Sequence, residues 1–521
     1  MKRKIISFLF VIVLLLSIVG VTISMTPTKS LSEMDIQISK KPVILLTIDS
    51  LMSESLQKAV LEGNAPAFSF LMNKGTYIPD VVSSYPTMSV TIDSTTVTGA
   101  YADQHQIPGL IWFDEKDNRI ISYGSGIREI WNNGVKNVAK DSIIRLNNEH
   151  LNSEVRTIYE ELADTKIQSA SINGLIFKGD ISHKLNVPKM LSFMHLLPKE
   201  IEIKGPTLLS LGALSQYNPD NDKHKFLWNR MGVNDDFTVS ELKYLIEQNK
   251  LPPFTLAYLP NLDAKVHRKG PEEEVKAIIE VDQSIQKLLN LFPSWEEAIE
   301  EVTWIVMGDS AQSLVKKDKE KGLIDLNQLL KGFTFWSGDN QDGQLAIAIN
   351  ERMAYINLND NEIEINSIIN TLKEDNRIGF IAWKDENLNY IVSPEKETIL
   401  SFSSIGEYRD VYNQSWNLVG DLSLLDISIS DNETIQYGDY PDGLARLNGA
   451  LHSHGGRFII VDAKPSYEFI EEHSHDHAGG GAHGSLHKID SVVPLIIVGT
   501  DVKPKYNRLV DFKDWLVEIV Q

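Results

Sequence analysis

Residues 42–49 read PVILLTID. A strand with one wet face alternates apolar and polar residues. This run does not alternate, so it reads as a central parallel strand covered on both sides. The stretch SLMSESLQKAVLEG follows as a helix that stops at Gly63. The same grammar then repeats. VRTIYEELADTK is helical and IQSASING strand-like; TVSELKYLIEQNK carries a capping pattern from Thr238 to Glu241, and PFTLAYLP is a strand. A helix begins after Gly270-Pro271 and runs through EEEVKAIIEVDQSIQKLLNLF, and VTWIVMGD is a strand ending in Asp309. Such βα alternation predicts an α/β fold with a central, mostly parallel sheet flanked by helices. Ligands sit at the carboxyl ends of the strands in such sheets, where Asp49 and Asp309 fall. The competing reading of Asp49 is a helix N-cap.

From about residue 333 the texture changes to LAIAIN, RMAYINL, NSIINTLKED, RIGFIAWKD and NLNYIVS, short segments of a small inserted α+β lobe running to about residue 435. GRFIIVDA and SVVPLIIVG resume the earlier apolar style and are expected to rejoin the first sheet. The core therefore occupies 41–332 and 436–521. At the other end, Lys2, Arg3 and Lys4 precede an apolar run from Ile5 to Met25, long enough as a helix to match a bilayer core. This predicts an uncleaved signal-anchor over 1–25 that holds the rest outside the cell membrane, or a secreted chain if it is cleaved, with 26–40 as a polar linker.

Composition narrows the chemistry. A net charge of −21 over 521 residues repels a phosphate backbone, so polymeric nucleic acid is not an expected partner. There are no cysteines, which leaves His, Asp and Glu as the strong metal ligands. Seven histidines lie between His452 and His487, in LHSHGG and HSHDHAGGGAHGSLH. On composition alone this is either a loose, solvated metal-binding loop or part of a defined site. Asp263 and His267 are four residues apart, so one helical turn brings both to the same side. In 83–109, SSYPTMSVTIDSTTVTGAYADQHQIPG, the hydroxyls of Ser84, Thr87, Ser89 and Thr91 all compete for the part of nucleophile.

Taken together the motifs resemble the type I phosphodiesterase/nucleotide pyrophosphatase branch of the alkaline phosphatase superfamily. The residues that carry the resemblance are Asp49; YPTMS, with Ser89 nine ahead of Thr98-Gly99; His105-Gln106-Ile107; Asp263 and His267 before Gly270-Pro271; Asp309; and His483-Gly484. It spans residues 42 to 500. The resemblance implies an alkaline-phosphatase-like sheet and a metal-dependent hydrolase of phosphate esters, acting on diesters, pyrophosphates or monoesters. Ser89 would be the nucleophile, forming a phosphoryl-enzyme that water then releases. Two divalent ions, zinc by implication, would be held by Asp263, His267 and His483 and by Asp49, Ser89 and Asp309.

Two positions depart from the family pattern. Ser310 stands where a histidine is usual, and a hydroxyl is a poorer zinc ligand than an imidazole. The second ion is therefore expected to be weaker, differently liganded, or completed by a histidine such as His475 or His477; His487 is a further candidate. Leu110 replaces an asparagine that contacts phosphate, and His105 reads as structural. The alternatives to an enzyme are a degenerate relative serving as a zinc-binding or scaffold protein of the cell envelope, and a zinc scavenger that uses the His-rich loop.

Overall fold

The computed structural model describes residues 28–521 apart from Glu33 and Ser125. The opening run forms strand β1 (Val43–Ile48), buried at every position. Six more strands complete its sheet: β2 (Thr76–Val82), β3 (Ser169–Ile172), β4 (Leu208–Ser210), β5 (Phe254–Leu259), β6 (Thr303–Gly308) and β7 (Val492–Val498), in the order β2-β7-β6-β1-β5-β3-β4. From β6 to β4 all neighbours are parallel, while β7 runs antiparallel to both β6 and β2.

Alternation of side chains across β1 explains its central place. Ile44, Leu46 and Ile48 enter one apolar cluster with helices α1 (Ser53–Leu61), α3 (Asp235–Glu247) and α5 (Glu274–Leu289). Val43 and Leu45 enter the opposite cluster with α2 (Ser89–Thr98) and α6 (Phe512–Val520). Fully burying a Leu or Ile is worth about 1.5–3 kcal/mol, so a run of this kind loses most if either face is left wet. Helix α4 (Asn261–Lys269) lies just beyond the end of β5.

The later half builds a second, nine-stranded and largely antiparallel sheet. One expectation fails here. Phe458–Ala463 does not rejoin the first sheet; it lies between Met353–Leu358 and Ile378–Asp385 and pairs antiparallel with both. A short run buried on both faces suits the centre of either sheet, and pattern alone does not choose between them. Only β7 returns to the first sheet.

Local details differ as well. Asn234 caps α3 by accepting from Phe237 N, whereas Thr238 lies inside the helix and donates to Tyr258 O at 2.8 Å. Helix α1 begins after Met52, so Asp49 is not its cap. Ahead of β1, Leu31 and Ile36 are buried against the core, in what the sequence suggests is a polar linker. Among the described residues no helix is long and apolar enough to cross a membrane; the run Ile5–Met25 falls outside them.

Candidate active site

Three strand ends meet at one point. Asp49 follows β1, Asp309 follows β6, and α4, just after β5, carries Asp263 and His267 on adjacent turns with His267 Nε2 2.9 Å from Asp263 Oδ1. Ser50, in the left-handed region at φ 61°, turns the chain so that its N–H donates to Asp309 Oδ1 at 2.8 Å and its hydroxyl to Asp263 Oδ1 at 3.0 Å. Ser310 N donates to the same Asp309 oxygen at 2.6 Å. Gln312 Nε2 adds a 2.7 Å bond to Asp263 Oδ1, and the Tyr258 hydroxyl donates to Asp49 Oδ2.

The hydroxyl-rich stretch sorts itself by what each oxygen bonds. In α2, Ser94, Thr96 and Thr98 donate back to the carbonyls four residues earlier. Ser84 pairs with Thr95, Thr91 donates to Ile107 O, and Thr87 Oγ1 accepts from Gly484 N. His105 is fully buried, bonded through both ring nitrogens to Thr95 Oγ1 and Ile107 N, and burial pushes it down to about 3. That leaves Ser89, the first residue of α2, whose hydroxyl faces Asp49 Oδ1 at 3.4 Å.

From the His-rich loop the fold selects unevenly. His483 turns inward: its Nδ1 donates to Thr87 O, and its Nε2 lies 3.7 Å from Asp263 Oδ1. Gly484 takes φ 108°, and a Cβ there would stand 2.2 Å from Asn350 O, so this close pass of the loop over the second sheet requires glycine. His477 stacks on His267 with ring centres 4.3 Å apart and bonds Glu468 Oε1 at 2.6 Å; His475 meets His477 edge-on. Both therefore stand at the His267 end, not beside Asp309, so neither completes the Asp309 end. His487 lies elsewhere, packed on Tyr440 with Asp439 3.7 Å away.

Sequence reasoning missed Glu351 and Glu129. Glu351 occupies the turn between Leu345–Asn350 and Met353–Leu358, and its Oε1 is 3.7 Å from His267 Nε2. Glu129 is buried with Oε2 lacking a hydrogen-bond partner among the described residues; burial, then Glu471 and Glu351, push it up to about 8. Neither belongs to a motif. With Met88, Ser89, Leu110 and Tyr123 they line a cavity of about 280 Å³.

Charge at this point favours a cation. Burial, then Asp309 and Asp263, holds Asp49 well above the usual carboxylate range; burial also raises Asp309, and Asp263 adds to it. Burial would raise Asp263 too, but His267 and His483 hold it well below that range. Burial opposes charge on His267, yet Asp263 and Glu351 drive it up to about 10. No lysine or arginine is ion-paired with Asp49, Asp263 or Asp309 among the described residues, and Asp309 Oδ2 is buried there without a partner. Buried anions need a compensating charge. The groups Asp263–His267–His483 and His267–Glu351–His477 each bring three ligand atoms within 4.8 Å of one another. The donors thus fit divalent cations.

A mostly parallel sheet with paired aspartates at its strand ends, a serine at a helix start and an Asp/His/His group define a hydrolase of the alkaline phosphatase superfamily. The family model for type I phosphodiesterase / nucleotide pyrophosphatase matches residues 43–486, and the chain belongs to that family. It is accordingly a hydrolase of the phosphodiesterase/pyrophosphatase class, a metal-dependent family. No curated protein matches the sequence. Among solved structures, murine ectonucleotide pyrophosphatase / phosphodiesterase 5 is similar with a TM-score of 0.55 at 14% identity, covering 92% of this chain and 95% of that one. An inactive variant of the same murine protein in complex with AMP gives 0.55 at 13% identity over the same shares. The human counterpart gives 0.54 at 15% identity, again with 92% and 95% covered. At these identities the likeness is one of fold.

Proposed function

We propose that this chain cleaves a phosphodiester or pyrophosphate bond in a small nucleotide-like substrate, with Ser89 Oγ as nucleophile. The observation that carries the reading is selective: of the four competing hydroxyls, Ser84, Thr87 and Thr91 serve the fold, and Ser89 alone faces the buried carboxylates. Its proton is directed at Asp49 Oδ1, the oxygen placed to receive it. The start of α2 carries partial positive charge that favours phosphoryl oxygens beside Ser89. Attack forms the Ser89 Oγ–P bond as the P–O bond to the leaving group breaks; water then cleaves the phosphoserine and frees the serine.

Asp263, His267 and His483 would hold one divalent cation and Asp49, Ser89 and Asp309 another. When bound, such ions lower the pKa of an oxygen nucleophile and neutralise charge on the phosphoryl group. The imidazoles of the first set suit zinc; the all-oxygen second set suits a harder ion such as manganese or magnesium. Met88, Leu110 and Leu175 give the cavity an apolar wall that excludes water, and Tyr123 lines it as well. The AMP complex of the murine structure supports a nucleotide-like substrate. The basic N-terminus and apolar run before the folded part support an extracytoplasmic placement, which protease accessibility on intact cells tests.

The deciding experiment is turnover of a nitrophenyl phosphodiester by the purified chain with zinc and manganese. Ser89→Ala should lower kcat on the order of 10⁴-fold or more. Undiminished turnover in that variant overturns the nucleophile assignment. Absence of turnover with any divalent metal would favour a zinc-binding scaffold.

A further inference from the structure

Glu351 has no part in the catalytic reading, yet the fold goes to some length to place it. The residue adopts φ 58°, a region that disfavours side chains with a Cβ. Its neighbour Arg352 is buried and anchors the turn through Asp490, Ala463 O and Tyr467 O. One backbone bond and one bond to the carboxylate then join the turn to the loop that carries His483: Arg352 N donates to His483 O at 2.9 Å, and His483 N donates to Glu351 Oε2 at 2.9 Å. The second carboxylate oxygen, Oε1, is left facing His267 Nε2 at 3.7 Å and His483 Nε2 at 3.9 Å.

Those two nitrogens are also the ones that face Asp263 Oδ1, at 2.9 and 3.7 Å. Each ring uses its Nδ1 on a backbone carbonyl, Gly481 O for His267 and Thr87 O for His483, which fixes the tautomer and leaves Nε2 free to bind a metal. Zinc bonds of 2.0–2.2 Å in a tetrahedron put neighbouring donors about 3.3–3.6 Å apart. Four of the six separations in such a tetrahedron, those between the imidazoles and the carboxylates, are 2.9, 3.7, 3.7 and 3.9 Å and bracket that range.

We propose that Glu351 is a fourth protein ligand of the ion held by Asp263, His267 and His483. This rests on the reading that those three residues bind a divalent cation. A ligand from this turn would fasten the second sheet, which carries Glu351, to the first, beyond whose strand end stand Asp263 and His267.

The test uses the full chain, stripped with a chelator and titrated with zinc against a chromophoric competitor, with cobalt replacing zinc for absorption spectra. Glu351→Gln and Glu351→Asp should each weaken the first zinc by about 10–100-fold and reduce the visible cobalt absorption as water enters the fourth position. Zinc should slow hydrogen exchange in residues 345–358 of the parent chain and not in the Asp variant, which keeps the test decisive if the amide disturbs folding. If both variants match the parent in zinc affinity and cobalt spectrum while His267→Ala loses zinc, the role of Glu351 is overturned and the underlying metal reading stands. If His267→Ala also binds zinc normally, that reading falls as well.

Discussion

The two ends of the site are made of different chemistry. At the His267 end, two imidazoles and two carboxylates converge, each ring oriented by a backbone carbonyl, and a third histidine stacks behind them. At the Asp309 end there are only oxygens: Asp49, Ser89, Ser310 and an aspartate with one oxygen unpartnered among the described residues. The difference teaches that a histidine-rich segment does not distribute its rings evenly. His475, His477 and His483 all reach the same end, and the substitution at Ser310 is left uncompensated by any of them.

This contrast can be broken most severely with a pair of variants. A four-ligand zinc site binds with about 10–16 kcal/mol, so one imidazole carries about 2.5–4 kcal/mol. His267→Ala should therefore lower the affinity for the first zinc by on the order of 10²–10³-fold, and Asp309→Asn should leave that affinity unchanged while abolishing the manganese response. Competition titrations with each metal check both halves; equal zinc losses in the two variants would show that the ends are not separate. Ser310→His sharpens the contrast from the other side. It offers the oxygen-only end a nitrogen, and two zinc ions per chain should bind where the parent binds one tightly, with a gain of about 10–100-fold at the second site. Metal counting after gel filtration reads this directly.

The smallest effect concerns charge. Asp93, on α2 one turn after Ser89, is buried, and burial followed by Asp309 raises its pKa from the ordinary 3.8 to about 8. A raised carboxyl pKa means the folded state keeps a proton that the unfolded state gives up. That contribution is complete below pH 3.8 and is lost as pH rises through about 8. Asp93→Asn cannot ionise and can still accept the bond from Leu175 N. In the metal-free protein the variant should melt a few °C above the parent at pH 8 and close to it at pH 4. Manganese, by offsetting the anionic charge at this end, should narrow the gap. Parallel melting curves across pH would contradict the assignment.

How much of this was legible in the sequence depended on whether a residue's task leaves a local pattern. Strands β1, β5 and β6 were readable because burial on both faces erases alternation, and Asp263 with His267 because helical spacing is visible without a structure. Ser89 needed the resemblance, since its neighbours are equally hydroxylated and only their bonding partners set it apart. Glu351 left no trace: a lone acid at a hairpin tip looks like any solvated turn until the tertiary fold turns it inward. Thr238 with Glu241 misled for a related reason, because a capping pattern recurs by chance and Asn234, which opens the polar run Asn234–Asp236, took the cap. His487 belongs to the same dense run as His483, and composition does not say which rings point in.

The placement of Phe458–Ala463 and of β7 bears on how the polypeptide is made. The first lies in the interior of one sheet and the second in the interior of the other, flanked in each case by strands from far earlier in the chain. Neither sheet can close until its late strand, Phe458–Ala463 in one and Val492–Val498 in the other, has left the ribosome. Until then both leave unpaired edges open to wrong partners, so premature termination upstream of β7 should yield an insoluble fragment and not a smaller working enzyme.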